Sequence, residues 1–265
     1  MKISAMVVGR NEGYKLKDCL KSLSFCDEIL YADLDSSDNS VEIASDFNCR
    51  IFNYKKFGPS CEYTQVDLIK VVNNDWVIML DPDEVITENL RDEIINKLPV
   101  ISQDDKVGDI YVPWQYYFGK KKLRGTVWGY KKEKGILINK NKYEILPITH
   151  YGRKVKEGYK SYHLKNTGFN LLNHYWMDDM KSFIEKHRKY LKDEGRDRYE
   201  KGDRISIFGI VGHIFYQFIR CFFITRGYKD GFTGFFLSIF WVWYMTNSNI
   251  SLYLVTIKNK NEFSN

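Results

Sequence analysis

Four strand-length runs, each followed by a helical pattern, fill the first hundred residues, and this alternation confines the chain to an α/β fold. The runs are 3–8 (ISAMVV), 28–32 (EILYA), 50–53 (RIFN) and 76–80 (WVIML). After the first come GRNEG and a helix with Leu16, Leu20 and Leu23 on one face. Asp38 and Ser40 offer N-caps for a helix carrying Val41, Ala44 and Phe47, residues 62–72 are helix-like, and Thr87 precedes a helix with Leu90, Ile94 and Leu98 on its buried side. The alternation predicts a mostly parallel, Rossmann-like sheet with helices on both faces, and ligands of such sheets bind outside the carboxyl ends of the strands. Two acidic loops, 33–38 (DLDSSD) and 81–84 (DPDE), fall at such ends.

Beyond residue 108 the pattern changes. Aromatic and β-branched runs separated by Lys- and Gly-rich turns continue to residue 164, as in hairpins or a mixed extension of the sheet. Residues 178–199 read as a long polar helix with Met180, Phe183, Ile184, His187 and Leu191 on one side. The tail holds two strongly apolar, aromatic stretches, 205–224 and 232–257. The chain therefore divides into 1–170, the sheet with its site, and 171–265, a helical region. His213, Gln217 and Arg220 in one stretch and Thr246–Asn249 in the other are costly within a single membrane span. Amphipathic helices lying in a membrane interface suit them better, with Trp241, Trp243 and Tyr244 at headgroup level and Arg196, Arg198, Lys201 and Arg204 facing anionic lipid. A buried helical hairpin is the alternative.

Composition narrows the partners. A net charge of +6 suits anionic partners: a nucleotide diphosphate, an acidic glycan or an anionic membrane. The basic residues are scattered and form no helix-turn-helix, zinc or RNP-like pattern, which sets nucleic acid aside. Five cysteines (Cys19, Cys26, Cys49, Cys61, Cys221) make no CxxC pair, and an odd number argues against a disulfide framework and for a reducing compartment. The opening residues read as a strand rather than a signal peptide.

Asp81-Pro82-Asp83 at the end of the most apolar strand puts two carboxylates on one side of an extended turn that the proline stiffens. Asp83 there can ligate Mn²⁺ or Mg²⁺ while Asp81 contacts a ribose or metal-bound water. A solvated acidic turn that caps the next helix is the plainer reading. Asp33 can accept hydrogen bonds from a base N–H or a ribose hydroxyl, and Asp38 is equally a helix cap. Lys120–Lys122 and Lys131–Lys134 are most simply solvated turns.

These segments carry a resemblance. ISAMVVGRNEGYKLKDCLKSL, EILYADLDSSDNSVEIA and DWVIMLDPDEVITENL resemble the opening of family 2 glycosyltransferases of the GT-A fold. NHYWMDDMKSFIEKHRKY and GYKDGFTGFFLSIFWVWY resemble later segments of their lipopolysaccharide-core β-glucosyltransferase branch. The resemblance implies donor binding by Asn11, Glu12, Asp33, Asp38 and Asp81, a metal on Asp83, and inverting transfer from a nucleotide-sugar, UDP-hexose foremost, to a cell-surface glycan or lipid-linked acceptor. It places the protein peripherally on the cytoplasmic side of the inner or plasma membrane. Where that branch carries a His-Glu pair, this chain has His150-Tyr151. His150 then completes the metal shell or is a surface histidine, and the base falls to Glu157, with Glu144, Asp178 and Asp179 as alternatives and Asp81 beside it. Two other readings share these residues: a polyprenyl-phosphate sugar synthase, and a catalytically silent membrane-binding protein of the same fold.

Overall fold

In the computed structural model, which describes residues 1–55, 61–146 and 152–262, every residue of β1 (Ile3–Gly9) is buried. Its side chains divide by alternation. Ile3, Ala5 and Val7 join one apolar cluster with Leu16, Leu20, Ile78 and Leu90, while Met6 and Val8 join a second with Leu30, Ala32, Leu68 and Met79. A strand covered on both faces requires an unbroken apolar run, which is why ISAMVV and WVIML lack polar–apolar alternation.

α1 (Gly13–Ser22), β2 (Glu28–Asp33), α2 (Ser40–Asp46), β3 (Arg50–Asn53), α3 (Cys61–Val71) and β4 (Trp76–Leu80) follow. The four strands pair in parallel in the order β3-β2-β1-β4, half of a doubly wound sheet. Val7 pairs with Leu80, Gly9 with Asp33, and Asp33 with Asn53, so their carboxyl ends open at one edge. After β5 (Glu84–Ile86), the hydroxyl of Thr87 accepts from the amide of Leu90 at 3.4 Å and starts α4 (Glu88–Ile101), the cap expected there.

The expected α/β class is found, with parallel pairing concentrated in these first four strands. The later part adds β6 (Val107–Phe118), β7 (Lys121–Lys122), the short α5 (Thr126–Gly129), β8 (Glu133–Asn139), β9 (Tyr143–Ile145), β10 (Arg153–Val155), β11 (Lys160–His163) and β12 (Leu172–Met177). β8 runs antiparallel between β4 and β6, β12 runs antiparallel to β5, and β9 with β10 form a separate ribbon.

The chain forms two compact units, 1–115 with 132–175, and 116–131 with 176–265. In the second unit, Asp179 and Ser206 cap α6 (Met180–Glu200) and α7 (Ile207–Phe218) by accepting from the amides of Ser182 and Gly209. α7 continues as a π-helical turn (Ile219–Ile224), and α8 (Gly231–Glu262) closes the unit. Asp230 accepts from the amides of Arg124 and Gly125 at 2.7 and 2.8 Å. Trp128, Trp176, Phe183, Phe240 and Tyr244 surround His187, whose pKa burial pushes down.

Four polar residues of the apolar tail, His213, Gln217, Ser248 and Asn249, turn inward into one network, while Arg220 stays exposed. Arg198 donates to Ser248 and Asn249, Asn249 and Gln217 each bond a ring nitrogen of His213, and Trp241 donates to Gln217 at 2.8 Å. Gln217 is 2% exposed, whereas Phe208 is 89% and Phe215 68% exposed. Residues Ile207–Ile224 have mean hydropathy 1.7 with 11% of the stretch buried, the one helix among the described residues long and apolar enough to cross a membrane. Two expectations are corrected. Trp241 and Tyr244 point into the unit rather than outward with Trp243, and Arg198 serves the polar network rather than a lipid face.

Candidate active site

The loops after β1 and β2 are laced together. The amide of Leu34 donates to the carbonyl of Gly9 at 3.0 Å, that of Asn11 to Ser36 Oγ at 2.9 Å, and that of Ser37 to Asn11 Oδ1 at 2.7 Å. Asn11 (φ 55°) and Asp35 (φ 58°) take left-handed backbone, which these residue types tolerate best among non-glycines. Buried Asp33 accepts from the amide of Ser36 at 3.0 Å. Asp38 accepts from the amide of Gly13 through Oδ2, and through Oδ1 from the amide and hydroxyl of Ser40. Desolvation works against the Asp38 carboxylate, but these donors outweigh it and hold its pKa below the usual range.

One strand further along, about 10 Å from Asp33 by the spacing of neighbouring strands, the end of β4 carries a denser cluster. The strand ladder explains it: Trp76 pairs with Asn139, Val77 with Ile138 and Ile78 with Leu137, and the same register carried along both strands sets Lys134 opposite Asp81. Lys134 Nζ donates to Asp81 Oδ2 at 2.9 Å and to Glu84 Oε2 at 2.6 Å. Its ammonium also lies 5.2 Å from the centre of the Trp114 ring. Trp114 stacks on His174 with ring centres 5.3 Å apart, and His174 Nε2 stands 3.2 Å from Asp83 Oδ1. Asp81, Lys134, Trp114, His174 and Asp83 thus form a continuous circuit of contacts.

The electrostatics follow from burial and these partners. Burial penalises the charged form of Asp81, but Lys134 and Arg153 outweigh it and hold the carboxyl well below the usual range. Burial penalises the Lys134 ammonium too, yet Asp81 and Glu84 hold it charged above the ordinary lysine range. Glu84, with no exposed surface, has its pKa raised by burial, only partly offset by Lys134, and its Oε1 has no hydrogen-bond partner among the described residues. Arg153 donates to Cys61 Sγ at 3.2 Å, and burial with the nearby Asp81 pushes that thiol up to about 12, which rules out a thiolate nucleophile at neutral pH.

The structure brings together Asn11, Asp33, Asp38, Asp81 and Asp83, with Glu12 just ahead of α1, at one edge of the sheet. It changes the part played by some of them. Both oxygens of Asp38 and the carbonyl oxygen of Asn11 are taken by the loops themselves, so these side chains hold the loops in shape rather than present free acceptors. Glu157 is not at the site. It is exposed in the turn before β11, where Lys160 pairs with Val107 at the start of β6, level with the beginning of β4. The length of β4, roughly 17 Å at the strand rise, separates that level from Asp81, so Glu157 is a surface turn residue away from the Asp81 cluster. His150 lies outside the described residues.

Lys134 is the residue sequence reasoning missed. It heads an apolar strand, and the sequence expectation of a solvated turn gives way to a 15% exposed side chain held by two acids. Among the described residues no group of three or more His, Cys, Asp or Glu is arranged to hold a metal ion. Asp81 is committed to Lys134 and Asp83 to His174. With Lys134 in place, these residues do not fit a divalent ion at Asp81.

No family model matches the chain. It is 25% identical over 254 residues to an uncharacterized glycosyltransferase of Rickettsia prowazekii, covering 90% of this chain and 82% of that one. Similar matches are uncharacterized glycosyltransferases of Rickettsia felis (23% identical, 88% of this chain and 83% of that one) and Rickettsia typhi (25%, 90% and 82%). Among solved structures, glucosyl-3-phosphoglycerate synthase from Mycobacterium tuberculosis in complex with Mn²⁺ and UDP-glucose is 16% identical with a TM-score of 0.36, covering 44% of each chain. A likeness that slight and partial carries no inference about this chain.

Proposed function

We propose that this protein is a glycosyltransferase that moves a sugar from a nucleotide-diphosphate donor, a UDP-hexose foremost, to an acceptor hydroxyl. One observation carries the reading: the loops after β1, β2 and β4 bring Asn11, Asp33, Asp81 and Asp83 to the carboxyl edge of a parallel sheet, where mononucleotides bind. The glycosyltransferase names of relatives matched along four fifths of their length support it. Buried Asp33 suits a ribose or base N–H. In transfer with inversion, the bond from the anomeric carbon to the diphosphate breaks as the acceptor oxygen bonds on the opposite face, and the acceptor proton must leave. Asp83 and His174, in contact at 3.2 Å, are the pair at hand to receive it. Family 2 membership, the lipopolysaccharide-core branch and a cell-surface glycan or lipid-linked acceptor rest on the sequence resemblance.

The proposal extends to a peripheral membrane location on the cytoplasmic side. α7 and the π-helical turn after it support it: His213 and Gln217 are paired inside the helical unit, while Phe208, Val211, Phe215, Ile219 and Phe223 are exposed. The test is hydrolysis or transfer of UDP-, GDP- and dTDP-sugars by the full chain, followed by NMR with anionic vesicles present. Release of one nucleoside diphosphate with an inverted sugar product is expected. No turnover or binding across the panel would sink the reading in favour of a silent membrane-binding protein.

A further inference from the structure

Lys134 occupies a particular chemical position. Its ammonium nitrogen bridges Asp81 Oδ2 and Glu84 Oε2 at 2.9 and 2.6 Å, with Asp81 being the first acid of the Asp-Pro-Asp turn. A divalent ion ligated by that Asp81 oxygen would have to share the space with a charge of its own sign. Nothing about the lysine is casual. The β4–β8 register sets it opposite Asp81, the Trp114 ring lies beside it, and its side chain is only 15% exposed. The charges of Asp81 and Glu84 favour its protonated form despite burial.

We propose that Lys134 is a built-in cation that takes the place of a divalent metal at the end of β4 and binds the donor's diphosphate. An ammonium has three N–H donors. Asp81 and Glu84 take two, and the third remains for a phosphate oxygen. Asp81 and Glu84 then act as positioning residues that hold the ammonium in place, and Arg153, whose charge also acts on Asp81, adds positive potential to the same region. As the diphosphate leaves the anomeric carbon, the charge on its bridging oxygen develops next to a fixed, desolvated cation, where stabilisation is strongest. This inference rests on the transferase reading for its ligand, whereas its claim about the cation position stands on the residues alone.

The experiment separates the two. Binding of UDP, GDP and dTDP to the full chain is measured by calorimetry in EDTA and in Mn²⁺, and Mn²⁺ uptake without nucleotide is followed by EPR. For the wild type, nucleotide affinity should agree within about twofold between EDTA and Mn²⁺, and the EPR spectrum should remain that of free ion. Lys134→Ala should lower affinity about tenfold or more in EDTA, regain it in Mn²⁺, and take up the ion without nucleotide. Because Lys134→Ala leaves Glu84 buried without its cation and can fail to fold, Lys134→Met combined with Glu84→Gln provides a second variant, expected to lose nucleotide affinity in EDTA. Tenfold tighter binding by the wild type in Mn²⁺, Mn²⁺ uptake by the wild type alone, or unchanged affinity in both variants would overturn the proposal. If no nucleotide binds under any condition, the transferase reading falls, and the EPR comparison of wild type with Lys134→Ala still decides whether lysine and metal exchange at this position.

Discussion

His174 Nε2 stands 3.2 Å from Asp83 Oδ1 while its ring lies flat against Trp114, with 5° between the planes. Backbone pairing fixes the contact, because β12 sets His174 opposite Glu84 and the amide of Tyr175 donates to the carbonyl of Asp83. Replacing His174 by Ala would remove Asp83's partner and the stacked ring together, costing about 2–4 kcal/mol. Transfer should fall by roughly 100-fold or more, the usual contribution of a positioned proton acceptor. Stopped-assay kinetics on folded protein checks this, and near-normal turnover would remove the pair from the mechanism.

Gly9 ends β1 against the turn that follows β4. A Cβ at residue 9 would stand 2.8 Å from Pro82 Cγ and 3.3 Å from the Tyr31 hydroxyl. Pro82 has little freedom to retreat, since Asp81 and Asp83 on either side are both held. Gly9→Ala should cost about 1–3 kcal/mol by overpacking and raise KM for the donor more than it lowers kcat. A donor KM equal to that of the wild type would show that the turn gives way without consequence.

Glu28 ties the opposite end of the sheet. Its carboxylate accepts from Ser4 Oγ, from the amide and side chain of Asn73, and from Arg50 Nη1 at 2.7 Å, linking β1, β2, β3 and the approach to β4. Burial works against its charged form, but the donors outweigh it and its pKa lies below the usual value. The folded pKa being lower than the unfolded one, the stabilisation is fully present above the ordinary glutamate pKa near ~4.3 and is lost as pH falls through the lower folded value. Glu28→Gln should cost about 2 kcal/mol at neutral pH, and its urea midpoint should converge on that of the wild type as pH falls below the ordinary glutamate range and through the lower folded value.

The apolar face of α7 gives the fourth test. Phe208→Asp with Phe215→Asp changes two exposed residues, so stability should move by no more than about 0.5 kcal/mol each. Sedimentation with anionic vesicles should be lost if that face meets lipid. Unchanged sedimentation at equal stability would place the membrane contact elsewhere or nowhere.

Much of this was legible in the sequence for local reasons. Runs such as WVIML announce strands buried on both faces, and the acids at their ends follow a few residues later, so fold class and the Asp33, Asp81 and Asp83 region could be read together. Lys134 could not be found that way. Its place opposite Asp81 comes from an antiparallel register joining positions 53 residues apart, which no local pattern encodes. Glu157 shows the converse: an acid close in sequence to the resembling segments lies on a turn that strand pairing carries to the far end of the sheet. In the tail, the apolar character was plain, but the direction in which His213 and Gln217 face depends on Asn249 and Trp241 in α8.

Those partners also impose an order on how the molecule is made. Arg198 finds Ser248 only 50 residues later, and His213 finds Asn249 only 36 later. During synthesis the sheet-bearing unit has all its strands by residue 177 and can close early. The helical unit has no such option. Until α8 has been added, Gln217 lacks Trp241, Arg198 Nη1 lacks Ser248 and Asn249, His213 Nδ1 lacks Asn249, and α7 is without the helix it packs against. This part of the chain must therefore assemble in one late step, and a nascent chain stalled before that point would carry a finished sheet domain attached to an unassembled, adhesive tail.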